Sequence, residues 1–107
     1  MDMIPDDDDI PQKKPSVLTE ECYEMLVEAE NYIAEDSPKQ ARIMRKRFFA
    51  IARILETFPE IGSPYKNGLR KFKLGKFRYN IYYRIETDII SIVGIWHTSR
   101  GTEFKEP

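Results

Sequence analysis

Between Leu69 and His97 apolar and polar side chains alternate with the period of a strand, broken only where Gly75-Lys76 and Glu86-Thr87-Asp88 supply turn chemistry. Few folds accept such a segment: it predicts a three-stranded antiparallel meander. A two-residue loop at Gly75-Lys76 would set Leu74 opposite Phe77, Phe72 opposite Tyr79 and Arg70 opposite Ile81. A second loop at Thr87-Asp88 would set Ile85 opposite Ile90, Tyr83 opposite Ile92, Ile81 opposite Gly94 and Tyr79 opposite Trp96, with Arg78 across from His97. Alternation then gathers Phe72, Leu74, Phe77, Tyr79, Ile81, Tyr83, Ile85, Ile90, Ile92 and Trp96 on a core side. Lys71, Lys73, Arg78, Asn80, Tyr82, Arg84, Ser91 and His97 fall on the other side around Val93 and Ile95.

An apolar sheet face needs a cover, and the segment before it supplies one. Thr19 is placed to cap a helix over Glu20–Glu35, with Glu20 and Glu21 favoured by the dipole at its start and Tyr23, Leu26 and Ile33 on one stripe. Asp36-Ser37-Pro38 ends that helix and begins the next, with Ser37 as cap and Pro38 in the first turn. Ala41, Met44, Phe48, Ile51, Leu55 and Phe58 recur at spacings of three and four, so the second helix runs to about Thr57 and stops before Pro59. The expected fold is α+β: an antiparallel helix hairpin on one face of a small, mainly antiparallel sheet. A short edge strand at Ser16–Leu18 fits the pattern, while Pro59–Pro64 and Tyr65–Gly68 read as turn and loop.

With 107 residues the chain suits one domain, expected over 14–100. Residues 1–12 hold five aspartates and no Lys or Arg, so the net charge of −1 for the chain becomes +4 for the remainder. Residues 1–13 are therefore expected to form a flexible acidic leader that screens Lys71, Lys73, Arg78 and Arg84, and 101–107 a short C-terminal tail. No apolar run reaches the length of a membrane span, and no signal peptide is legible, which points to the cytoplasm. A single Cys22 and a single His97 argue against a disulfide and against a metal site, and no cofactor motif is present. Cys22 and Met25 read as a half-buried seam.

Two readings of the basic face stay open. Strands with one wet side carry Lys and Arg simply to stay soluble. Cations interleaved with Tyr82 and His97 also suit phosphates, bases or an acidic protein segment. His97 has no nucleophile motif beside it, but with Lys71, Arg78 and Arg84 it could act as general acid or base when a ribose hydroxyl attacks phosphate. The basic outer side of the second helix, including Arg42, Arg45, Lys46, Arg47 and Arg53, reads as a solvated face.

Taken in order, Asp36-Ser-Pro-Lys-Gln-Ala41, Phe58-Pro-Glu-Ile-Gly62, Leu69-Arg70, Phe77-Arg-Tyr-Asn-Ile-Tyr-Tyr-Arg84 and Ile92-Val-Gly-Ile-Trp-His97 with Arg100 resemble the RelE/ParE superfamily of toxins from type II toxin–antitoxin systems, and the ParE branch more closely. The resemblance spans about Leu18 to Arg100. It implies a plasmid-stabilisation-like toxin that poisons DNA gyrase and is neutralised by a cognate antitoxin. The surface implied for partner or target comprises Arg70, Lys71, Lys73, Arg78, Tyr82, Arg84, His97 and Arg100. The alternative is a ribosome-dependent mRNA endoribonuclease of the RelE kind using His97, Arg78, Lys71 and Arg84; a third is a non-toxic binding domain that kept the fold.

Overall fold

The computed structural model of the chain describes residues 13–107. The acidic leader at 1–12 lies outside the described residues. Strand β1 (Ser16–Leu18) leads into α1 (Glu20–Asp36) and α2 (Pro38–Thr57), followed by β2 (Ser63–Pro64), β3 (Arg70–Lys73), β4 (Tyr79–Ile85) and β5 (Ile90–His97). The sheet order is β1-β5-β4-β3-β2, all antiparallel except β1, which runs parallel to β5. The fold is thus α+β, two helices on a mixed five-stranded sheet.

The helix ends follow local chemistry. Thr19 Oγ1 accepts from the Cys22 N–H at 3.1 Å, and Ser37 Oγ accepts from the Gln40 N–H at 3.1 Å, each satisfying a donor that the first turn leaves open. The α1 stripe is Cys22, Leu26 and Ala29, with Tyr23 at its exposed flank; on α2 it is Ala41, Met44, Phe48, Ile51, Ala52 and Leu55. Cys22 is fully buried rather than half-buried, and Phe58, one residue past α2, is exposed. These stripes close over Leu74, Tyr79, Ile81, Tyr83, Ile90, Ile92 and Ile95.

Two registers differ from the expected ones. Phe72 pairs with Ile81 and Arg70 with Tyr83, because the β3–β4 connection is longer than two residues: Gly75 and Arg78 both take left-handed φ, and the Leu74 N–H reaches the Tyr79 carbonyl. A slip of two residues leaves every side chain on its expected face. The β4–β5 ladder is different. It starts as expected with Ile85 opposite Ile90 and Tyr83 opposite Ile92, but then breaks, and Tyr82 faces Gly94, Ile81 faces Ile95, Asn80 faces Trp96 and Tyr79 faces His97. Val93 is the extra residue of a β-bulge, and a shift by one exchanges the faces of everything beyond it. Ile95 joins the helix-side core while Trp96 leaves it for a second cluster with Leu69, Tyr82, Val93 and Phe104.

That second cluster also corrects the expected tail. Rather than departing, the C-terminal segment turns back across the outer face of the sheet, and Phe104 is buried there.

The motif pieces near α2's end lock together through Tyr83 and Arg70. The Tyr83 hydroxyl donates to the Pro59 carbonyl at 2.6 Å and accepts from the Gly62 N–H at 3.0 Å, while Arg70 donates to the carbonyls of Gly62 (3.0 Å) and Glu60 (3.1 Å). A Cβ at position 62 would sit 2.5 Å from the Tyr83 hydroxyl and 2.8 Å from the Lys71 carbonyl, so only glycine fits. Pro59-Glu-Ile-Gly62 and Leu69-Arg70, on either side of the loop at 63–68, are two halves of one clasp closed by Tyr83 from β4.

Candidate functional site

The bulge at Val93 divides the predicted surface between two places. On the helix side, β5 outlasts β1, which pairs only with Ile90–Ile92, and the final residues of β5 border a groove of about 660 Å³ against α1. His97 and Arg100 line it together with Tyr79, Tyr32 and Glu28, and Trp96, whose ring belongs to the outer-face cluster, borders it as well. The His97 ring meets Tyr79 edge to face at 4.9 Å, and its Nδ1 accepts from the Ser99 N–H at 3.0 Å. This bond leaves Nε2 as the nitrogen free to act on anything in the groove. Arg100 stacks over Trp96 at 4.2 Å and reaches Glu28 at 3.5 Å. Burial pushes the Tyr79 phenol up, so it stays a neutral donor at physiological pH. The groove therefore offers aromatic walls, two cationic or imidazole groups from the strand end and carboxylates from α1.

The other candidates lie elsewhere. Lys71 pairs with Tyr82 in the ladder and sits over the Tyr65 ring at 5.6 Å on the outer face; Lys73 is exposed beyond it. Tyr82 is buried beneath Phe104, the rings stacked at 4.2 Å and 15°. Arg84 forms a bidentate pair with Glu106 at 2.6 and 3.1 Å, which holds that carboxyl below the usual range. Arg78 is the left-handed residue before β4, not a partner of His97; its carbonyl accepts from Thr98 instead. Arg70 belongs to the clasp at Gly62.

The sequence reading missed Phe104 and its flanking acids. The signals were present: a lone aromatic between Thr98 and Pro107, and a glycine, Gly94, inside a strong strand. Together they make a slot, since a Cβ on Gly94 would lie 2.2 Å from the Phe104 ring. Tyr65 donates to the Phe104 carbonyl and Trp96 Nε1 to that of Thr102, each at 3.0 Å, and Lys66 pairs with Glu103.

Comparison with known proteins places this geometry. Residues 17–101 match the model of the family described as ParE toxin of type II toxin-antitoxin system, parDE. Among solved structures, one described as the chromosomal ParDE TA system from P. aeruginosa superposes with a TM-score of 0.72 at 16% identity, covering 81% of this chain and 98% of that one. None of the curated proteins matches the sequence. The structural likeness establishes the shared fold, and the family match covers most of the chain. On that ground the chain belongs to the ParE toxin family of type II toxin–antitoxin systems.

Proposed function

We propose that this ParE-family toxin inhibits DNA gyrase, is neutralised by a cognate antitoxin, and does not cleave mRNA. The observation that carries the choice is the separation of two ribonuclease candidates, Lys71 and Arg84, from His97. General acid–base cleavage needs His97 and the cations around one phosphate. Instead His97 lies on the helix side against Tyr79, whereas Lys71 and Arg84 lie on the outer face, Arg84 already paired with Glu106. What remains together is the groove of Tyr32, Tyr79, Trp96, His97 and Arg100, without Lys71 and Arg84, which supports reading it as a recognition surface. We assign target contact to that groove. The same reading places its action in the cytoplasm, as part of a plasmid-stabilisation-like system. No helix among the described residues is long and apolar enough to cross a membrane.

The test is a supercoiling assay with purified gyrase. Addition of this protein should accumulate cleaved gyrase–DNA complexes and leave ribosome-bound mRNA intact, with Arg100→Ala and His97→Ala weakening the effect. Ribosome-dependent mRNA cuts with gyrase unaffected would overturn the proposal. Co-expression with a small protein encoded beside this one should restore growth.

A further inference from the structure

We propose that the outer face of the sheet is a peptide-docking groove, filled in cis by this chain's own Glu103-Phe104-Lys105-Glu106 and open in trans to an extended partner segment with an aromatic residue flanked by acids. Three features make it a built site. Its floor is shaped for a ring: Tyr82 stacks on Phe104, Trp96 meets its edge at 5.9 Å, and the missing Cβ of Gly94 supplies the depth. Its rim is cationic, with Lys66 on one side for Glu103 and Arg84 on the other for Glu106. Its backbone contacts are independent of the occupant's side chains, because Tyr65 donates to the Phe104 carbonyl and Trp96 to that of Thr102, the residue just before Glu103. Any extended segment presents such carbonyls.

The cis occupant is held loosely enough to exchange. Phe104 is its single buried residue. The Lys66–Glu103 side chains are each 62% exposed and the Arg84–Glu106 pair 31% and 35%, so solvent screens both. A segment held by one buried anchor opens far more readily than the core. A competing segment must nevertheless beat an effective concentration of about millimolar, which delays capture until a partner brings further contacts. The natural competitor, if the antitoxin reading holds, is an acidic aromatic stretch of the antitoxin; the groove itself does not depend on that reading.

The experiment uses the full chain and a labelled synthetic peptide of residues 100–107, read by fluorescence anisotropy and by the indole N–H resonance of Trp96, which the bond to Thr102 makes a reporter of occupancy. Phe104→Ala removes the cis anchor and should raise peptide affinity on the order of 10-fold or more over the unmodified chain. Adding Gly94→Ala to that variant should abolish the gain, since the new methyl fills the slot. A peptide with Phe replaced by Ala should not bind. Should Phe104→Ala fold poorly by circular dichroism, Glu103→Gln with Glu106→Gln loosens the strap while keeping the ring, and should give a smaller gain in the same direction. Folded variants that bind peptide no better than the unmodified chain would overturn the proposal, and would do so even if the protein still inhibits gyrase.

Discussion

Removing the Tyr83 hydroxyl should be the most informative single-atom change. Tyr83 is fully buried, and its hydroxyl both accepts from the Gly62 N–H and donates to the Pro59 carbonyl. In Tyr83→Phe the ring packing survives, but a buried amide and a carbonyl lose their partner. Stranding such groups costs about 1–3 kcal/mol, more than the net worth of the bonds in an exposed setting. For a domain of this size each kcal/mol lowers Tm by roughly 4–8 °C, so a drop on the order of 10 °C is expected, read by thermal circular dichroism with a matching shift in urea midpoint at unchanged m-value. Gly62→Ala attacks the same clasp from the other side by forcing a methyl to 2.5 Å from the hydroxyl. Combining the two should cost less than their sum, because deleting the oxygen relieves part of the clash; the Lys71 carbonyl at 2.8 Å keeps the relief partial. A Tyr83→Phe protein within about 0.5 kcal/mol of the parent would refute the clasp as a stabilising device.

Other outcomes follow from the same geometry. The Glu56 carboxyl is held below its usual range first by the Ser16 N–H, then by the Ser16 hydroxyl, both at 2.8 Å. Its contribution is therefore present above the unfolded carboxyl pKa of about 4.3 and lost as pH falls through the lower folded value; Glu56→Gln should destabilise at pH 7 and lose that effect progressively in acid. Burial pushes the Cys22 thiol up to about 12, so native protein should resist a thiol reagent at pH 8 that labels it rapidly in denaturant; rapid native labelling would contradict the packing of α1. Deleting residues 1–12 should strengthen low-salt binding to an acidic partner or nucleic acid modestly and have no effect at high salt, while equal low-salt affinities would reduce the five aspartates to a solubilising tail.

What the chain declares locally, it declares well. Thr19 and Ser37 cap the helices, Pro38 opens α2 and Pro59 closes it, because each acts on its own neighbours within a turn. The period-two pattern gave the strands, and a two-residue error in the β3–β4 loop cost nothing, since an even slip preserves faces. The odd slip at Val93 mattered far more. A bulge is chosen by how β5 packs against both layers, and that packing sends Trp96 outward and His97 toward α1, undoing any site composed from strand parity alone. The fate of Phe104 likewise depends on a partner met only in three dimensions. Nothing near it in sequence forms a slot; Gly94, Tyr82 and Trp96 do so only once the sheet is assembled, and burying the aromatic ring there outweighs leaving it in water.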